Sequence, residues 1–216
     1  MCQVIPHIHT EKKITAIEVK ALLDSFCIPF HQIDIANWEK DYPYKPRVSY
    51  RMAHTGDTLL LHYYIEEKTV RAVARTDNGK VWEDSCCEFF ISPDASEYYY
   101  NFECNAATRL LLHYGKIGER VPASAETLAS IDRWSSLGEV PFEEKVQKGV
   151  WELTLVIPVS ALFHHQLNTW EGLSATGNLY KCGDKLSSPH FLATSEIAIE
   201  KPCFHCPAYF MKLKFD

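Results

Sequence analysis

The sequence predicts an all-β protein: an antiparallel β-sandwich of immunoglobulin-like or jelly-roll type, with a short N-terminal helix and long edge loops. Three observations carry that expectation. Apolar residues recur with a period of two in many short runs. Turn residues such as Asp77-Asn78-Gly79 and Ser92-Pro93-Asp94 punctuate those runs. Helix-period segments are too few to provide the crossover that each parallel strand pair would need. With 216 residues, 46% hydrophobic, the chain is expected to form one domain over residues 1–216. A chain of this size buries roughly two-thirds of its unfolded surface and needs no metal or disulfide to fold.

The elements follow in order. Thr15-Ala16-Ile17-Glu18 fits a capping box, and Val19, Leu22, Leu23 and Phe26 continue it at helical spacing. The period then changes to two. Val48, Tyr50 and Met52 alternate with polar residues. Leu59, Leu61, Tyr63 and Ile65 form one face of a strand, opposite Leu60, His62 and Tyr64. Val70 to Arg75 is a further strand before the Asp77-Asn78-Gly79 turn. Cys87, Phe89 and Ile91 alternate, as do Tyr98, Tyr100, Phe102 and Cys104, and Leu110 to Tyr114 extends the set. Trp151, Leu153, Leu155 and Ile157 repeat the pattern. Tyr209, Met211, Leu213 and Phe215 close it, pointing inward between outward Lys212 and Lys214. Two stretches read as loop-rich or mixed, Pro122 to Gly138 and Thr169 to Pro207, and their length marks them for the functional edge.

Charge and cysteine usage narrow the classes. A net charge of −6 argues against a nucleic-acid partner, whose binding face is basic. No run approaches the ~20 apolar residues of a membrane span. The start, Met1-Cys2-Gln3-Val4, lacks the charged segment and apolar run of a secretory leader. The eight cysteines are scattered, and Cys86 and Cys87 are neighbours, for which a bridge would be strained. They read mostly as buried free thiols, which points to the cytoplasm.

Phosphate loops, dinucleotide fingerprints, paired-His helix motifs and nucleophile elbows are missing. The densest constellation runs from Asp77 to Ser85 and holds Asn78, Trp82, Glu83 and Asp84. A flat indole packs on the C–H face of a pyranose while planar polar groups bind its hydroxyls. The same residues also suit a core plug and a solvated turn. Glu83, Asp84, Glu88 and Glu103 raise glycoside hydrolysis, whose carboxyl spacing the sequence leaves open. Cys182, His190, Cys203, His205 and Cys206 are zinc-type residues in a spacing unlike standard fingers, and packing explains them equally. Tyr99 faces solvent or a ligand. Asn101 and Asn105 share a strand face, and Asn105 is either a hydroxyl reader or a polar outer residue. No carboxylate loop identifies calcium, and no cofactor is expected.

Several runs resemble the family 9-type carbohydrate-binding proteins of the Bacteroidetes group, related to the sugar-binding modules attached to xylanases. They include Asn37-Trp38, Tyr42-Pro43-Tyr44-Lys45-Pro46 and Ala53-His54-Thr55-Gly56-Asp57. Val81-Trp82-Glu83-Asp84-Ser85-Cys86, Glu88-Phe89-Phe90-Ile91 and Tyr100-Asn101-Phe102-Glu103 follow. Tyr180-Lys181-Cys182-Gly183-Asp184 and Pro189-His190-Phe191-Leu192 complete the match. The resemblance implies a β-sandwich that binds carbohydrate at one edge between aromatic rings, on polysaccharides related to xylan, and a secreted or periplasmic setting. It implies Trp82 as the stacking ring, Glu83, Asp84, Asn78 and Asn105 as hydroxyl or turn partners, and Lys181 and His190 as the completion of that edge. The chain departs from the pattern where Thr194 replaces an expected Trp and Cys206 an expected Arg. The function expected is therefore non-catalytic carbohydrate binding. The alternatives are a glycoside hydrolase or its accessory chain, and a divergent member with a vestigial site.

Overall fold

The structure is a computed structural model that describes residues 2–216. In chain order it contains strands β1 (Cys2–Ile5), β2 (His31–Gln32), β3 (Arg47–His54), β4 (Thr58–Glu66) and β5 (Thr69–Ala72). Then come β6 (Cys86–Ser92), β7 (Tyr99–Asn105), β8 (Leu110–Lys116), β9 (Glu119–Pro122) and β10 (Asp132–Ser135). The last are β11 (Phe142–Val146), β12 (Trp151–Pro158), β13 (Ser174–Cys182), β14 (Phe191–Ala193) and β15 (Met211–Phe215). Two short helices, α1 (Val19–Ser25) and α2 (Ala125–Ser130), complete the regular structure.

The larger sheet has the order β1-β15-β13-β6-β7-β8-β9, with β14 also paired to β13. The smaller has the order β10-β12-β4-β3-β2, and β5 pairs with β11 as a separate ribbon. Alternation places Val48, Tyr50, Met52, Leu61 and Tyr63 of the smaller sheet against Phe89, Ile91, Phe102 and Leu112 of the larger in one core. This is the expected β-sandwich. Each buried aromatic or branched side chain contributes about 1.5–3 kcal/mol relative to exposure. One pairing departs from the antiparallel plan: β1 runs parallel to β15. Four residues are too short to carry a periodic signal, so the sequence did not announce this strand.

The smaller sheet is covered on its outside by α1. Glu18 accepts hydrogen bonds from the Thr15 amide at 3.0 Å and the Thr15 hydroxyl at 2.7 Å, holding the entry to the helix. Val19 and Leu23 then pack on Leu60 and Val156. That explains why Leu60, on the face opposite Leu59 and Leu61, is apolar.

His62 lies on the same outer face and is fully buried. Arg51 donates to its Nδ1 at 3.1 Å, and its Nε2 lies 2.7 Å from the Glu152 carboxylate. Since a guanidinium only donates, Nδ1 must accept, and the ring's proton sits on Nε2, facing Glu152. Burial and then the Arg51 charge push the His62 pKa down to about 3. The native ring stays neutral while the unfolded ring takes up a proton near pH 6.5. The unfolded state therefore binds more protons between pH 6.5 and 3, and this group's stabilisation is lost as pH falls through that window. His62→Asn keeps an acceptor for Arg51 without the titration. It is expected to be about 1–3 kcal/mol less stable than the parent at pH 7, with the gap closing toward pH 4 in paired denaturant melts.

The centre of the larger sheet is buried on both faces, and every residue of β6 and β7 is buried. Its outer face carries a second apolar cluster of Trp38, Phe90, Tyr99, Tyr180 and Phe204, covered by the segment leading to β15. Tyr99, expected against solvent or a ligand, is part of this cluster.

The structure sharpens or corrects three further expectations. The stretch from Thr169 to Pro207 contains β13, which pairs with β6, β14 and β15 at the centre of the larger sheet. It reads as a loop because Gly177, Asn178 and Lys181 interrupt its apolar pattern. A Cβ at Gly177 would lie 2.5 Å from the Phe90 carbonyl oxygen, so the missing side chain lets β13 approach β6. The stretch from Pro122 to Gly138 contains α2 and β10. Tyr209 lies in a helical turn before β15 and is half-buried.

Candidate functional site

A cavity of about 440 Å³ opens on the outer face of the larger sheet. Its floor is Glu88 from β6, Glu103 from β7, Leu111 and His113 from β8 and Cys182 from β13. Trp82, Asn78, Asp184, Phe191 and Arg120 form its walls, and Pro202 to His205 close over it. Volume and mixed lining match a small-molecule site, for which about 300–1,000 Å³ is usual. The strand period explains the floor. Cys87, Phe89, Phe102 and Cys104 point into the core, so Glu88 and Glu103 between them point out.

Trp82 is presented by a helical turn, Val81–Glu83, anchored by the fully buried Val81. The Trp82 carbonyl accepts from the Asp184 amide at 3.3 Å and from the Cys182 thiol at 3.5 Å, tying that turn to the end of β13. The indole itself is half-buried, as a stacking surface must be.

Glu88 and Glu103 stand directly opposite each other in the β6–β7 register and are both buried. Glu88 accepts from the Cys182 thiol at 3.0 Å, and Glu103 accepts from the Asn101 amide at 2.8 Å. Burial, with Glu103 beside it, drives the Glu88 carboxyl far above its ordinary range. Burial also lifts Glu103 to about 7 and Asp184 to about 6. Two adjacent buried carboxyls cannot both ionise cheaply, so the pair retains a proton near neutrality. It then offers both a donor and acceptors to the cavity. Arg120 donates to the Tyr99 hydroxyl and to Nδ1 of His205. Burial and the Arg120 charge push His205 down to about 3, so that ring is neutral.

Of the residues singled out in the sequence, Trp82 and Asn78 line the cavity. Asn78, at φ 56°, also fixes its turn, accepting from the Leu112 amide at 3.0 Å and donating to the Ala123 carbonyl at 3.2 Å. Glu83 lies beyond the cavity wall, 3.7 Å from Lys80. Asp84 is fully buried and accepts from Arg71, the Val73 and Ala74 amides and Asn105. Asn105 is buried too, and its carbonyl oxygen accepts from the Ala107 and Arg109 amides at 3.1 and 2.9 Å. Lys181 and His190 are buried on the core side, with Lys181 2.9 Å from Glu67 and 2.8 Å from His190 Nε2. Asp84, Asn105, Lys181 and His190 therefore hold the frame behind the cavity, and the structure does not bring them into it.

Arg120, Asp184, Phe191, Phe204 and His205 join the cavity beyond the residues that the sequence marks as sugar contacts. Asp184 and Phe191 lie within the family-like runs, without a role assigned to them there. Arg120 has no local signal, because only the pairing of β9 with β8, which sets it opposite Gly115, puts it on the same sheet face as His113 two residues away. Thr194 lies away from the cavity, its hydroxyl donating to Asn178 and its amide to the Leu179 carbonyl. Phe191 and Phe204 provide rings there instead, and Arg120 provides a guanidinium where Cys206 does not.

The zinc-type set of Cys182, His190, Cys203, His205 and Cys206 does not converge. Among the described residues, one group of three or more such side chains brings its ligand atoms within 4.8 Å of one another: Cys86, Glu88 and Cys182. All eight cysteines are free; Cys86, Cys87, Cys104 and Cys182 are buried, while Cys2 and Cys27 are exposed.

Comparison with known proteins agrees with this fold. The sequence profile of carbohydrate-binding family 9 matches residues 17–215. The crystal structure of a candidate carbohydrate-binding protein from Bacteroides uniformis is 51% identical, covers 100% of this chain and 99% of its own, and superposes with a TM-score of 0.96. A family 9 carbohydrate-binding module from Caldicellulosiruptor kristjanssonii in complex with glucose is 7% identical, covering 100% of this chain and 96% of its own with a TM-score of 0.63. A family 9 module of that organism in complex with cellotriose, also 7% identical, gives a TM-score of 0.62 over 100% of this chain and 93% of its own. These two share the fold. No curated protein sequence matches the chain. By the profile match and the Bacteroides relative together, the chain belongs to carbohydrate-binding family 9.

Proposed function

We propose that the cavity on the larger sheet binds a sugar without transforming it. The observation that carries this reading is the composition of the cavity: half-buried Trp82 with Phe191 and Phe204, beside Glu88, Glu103, Asp184 and Arg120. Rings supply the apolar surface that a pyranose C–H face needs, and carboxyls with a guanidinium supply acceptors and donors for its hydroxyls. Family membership and the sugar-bound modules of the same fold support it. The volume suits a short piece of chain, a terminal sugar or two, rather than a long polysaccharide face.

The carboxyl pair does not favour hydrolysis. Glycosidases place two carboxyls on opposite sides of the scissile bond. Glu88 and Glu103 rise side by side from adjacent strands of one floor.

A screen of soluble mono- and oligosaccharides by calorimetry tests the reading, with Trp82→Ala alongside and its folding checked by melting. Removing the indole is expected to weaken binding by about 1.5–3 kcal/mol, tenfold or more, in a still-folded variant. Failure of the parent to bind any sugar overturns the proposal. Unchanged affinity in folded Trp82→Ala moves the site elsewhere. Release of reducing sugar, lost in Glu103→Gln, replaces it with the hydrolase reading.

A further inference from the structure

We propose that Cys86, Cys182 and Glu88 form a binding site for a thiophilic divalent cation of the zinc type at the floor of the cavity. Cys86 and Cys182 are direct partners in the β6–β13 register, so both thiols leave the sheet on the same face. Glu88 follows Cys86 by two residues and therefore projects on that face as well. The three ligand atoms lie within 4.8 Å of one another, and Cys182 Sγ is 3.0 Å from a Glu88 oxygen. A tetrahedral zinc with Zn–S of about 2.3 Å and Zn–O of about 2.1 Å separates a sulfur from an oxygen ligand by about 3.6 Å. Small side-chain rotations reach that geometry.

The surroundings fit a metal centre better than a random cluster. All three residues are buried, on strands that pair along their whole length, so the donors sit on a rigid frame. Cys182 and Glu88 also line the cavity, which gives the ion a route in. Asp184, two residues beyond Cys182, lines the same cavity, and its carboxylate, outside the group of three gathered donors, would have to turn toward them to fill a fourth position. Two thiols with carboxylate oxygens favour a borderline or soft ion over calcium, which takes oxygen ligands alone. Uptake releases the two thiol protons to solvent, shifts the proton of the carboxyl pair onto Glu103, and turns the freed Glu88 oxygen from the Cys182 thiol to the metal. The site does not depend on the sugar reading, because ion binding is measured without a glycan.

The test is titration of the reduced, metal-free protein with cobalt(II), read by the sulfur-to-cobalt charge-transfer band, followed by zinc competition. One ion per chain is expected, with the band abolished or affinity lowered beyond ~10–100-fold in Cys86→Ala and Cys182→Ala, more than loss of a mere supporting residue costs. Cys27→Ser, at an exposed thiol, is expected to leave the band intact. No band, or a band that survives both alanine variants, overturns the site. Should those variants fail to fold, zinc-edge X-ray absorption of the wild-type protein decides. Two sulfur neighbours at about 2.3 Å support the site, and a shell without sulfur overturns it.

Discussion

Lys181→Met is expected to destabilise the protein by about 3–5 kcal/mol while leaving the sugar affinity of the folded fraction unchanged. Lys181 is fully buried and lies 2.9 Å from Glu67, also buried. Burial opposes the ammonium charge, but the Glu67 carboxylate and neighbouring thiols outweigh it and hold the Lys181 pKa above its ordinary value. Trp151 donates to the other Glu67 oxygen at 2.8 Å, and the ammonium also donates to the Cys182 carbonyl at 2.8 Å. His190 accepts from Lys181 and is kept neutral by burial and by that charge. Removing the lysine leaves a buried carboxylate without its counter-ion, the costly half of a broken pair. Each kcal/mol lowers Tm by about 2–4 °C in a chain of this size, so scanning calorimetry should show a fall of about 6–20 °C. Adding Glu67→Gln removes the stranded charge and is expected to restore most of the loss. A sugar-contacting lysine would give the opposite result, weak binding with little change in Tm.

Asp84→Ala is expected to cost about 3–5 kcal/mol by the same physics, with the donors stranded instead. The Asp84 carboxylate accepts from the Val73 and Ala74 amides at 3.0 Å each, from Asn105 at 2.9 Å and from Arg71 at 3.2 Å. Those bonds join β5, the turn that presents Trp82, and the end of β7. Denaturant unfolding measures the loss. The Trp82 turn is tethered separately through Cys182 and Asp184, so sugar affinity below the transition should fall less than in Trp82→Ala. An Asp84→Ala protein as stable as its parent but unable to bind sugar would return Asp84 to the site itself.

Much of the fold was legible because a strand half-buried in a sandwich writes its environment into alternate residues. Leu59, Leu61, Tyr63 and Ile65 did so, as did Cys87, Phe89 and Ile91 and the run from Trp151 to Ile157. The capping box of Thr15 and Glu18 was equally local. β13 was not legible, since a central strand with both faces covered can carry Gly177, Asn178 and Lys181 where its neighbours satisfy them. The parallel pairing of β1 with β15 joins the two ends of the chain, and no short run records that.

The site divides in the same way. Trp82 and Asn78 were found from the sequence because a turn and a lone large aromatic are local signs. Asp84, Asn105, Lys181 and His190 have the same chemistry as sugar-reading groups, and residue type cannot tell a polar group facing a ligand from one satisfied inside the protein. The sequence by itself determined the sandwich, the family and the turn that carries Trp82. The tertiary structure alone decided which polar groups reach the cavity. Facing is set by strand register, which pairs Glu88 with Glu103 and Cys86 with Cys182, and by β9 pairing, which brings in Arg120.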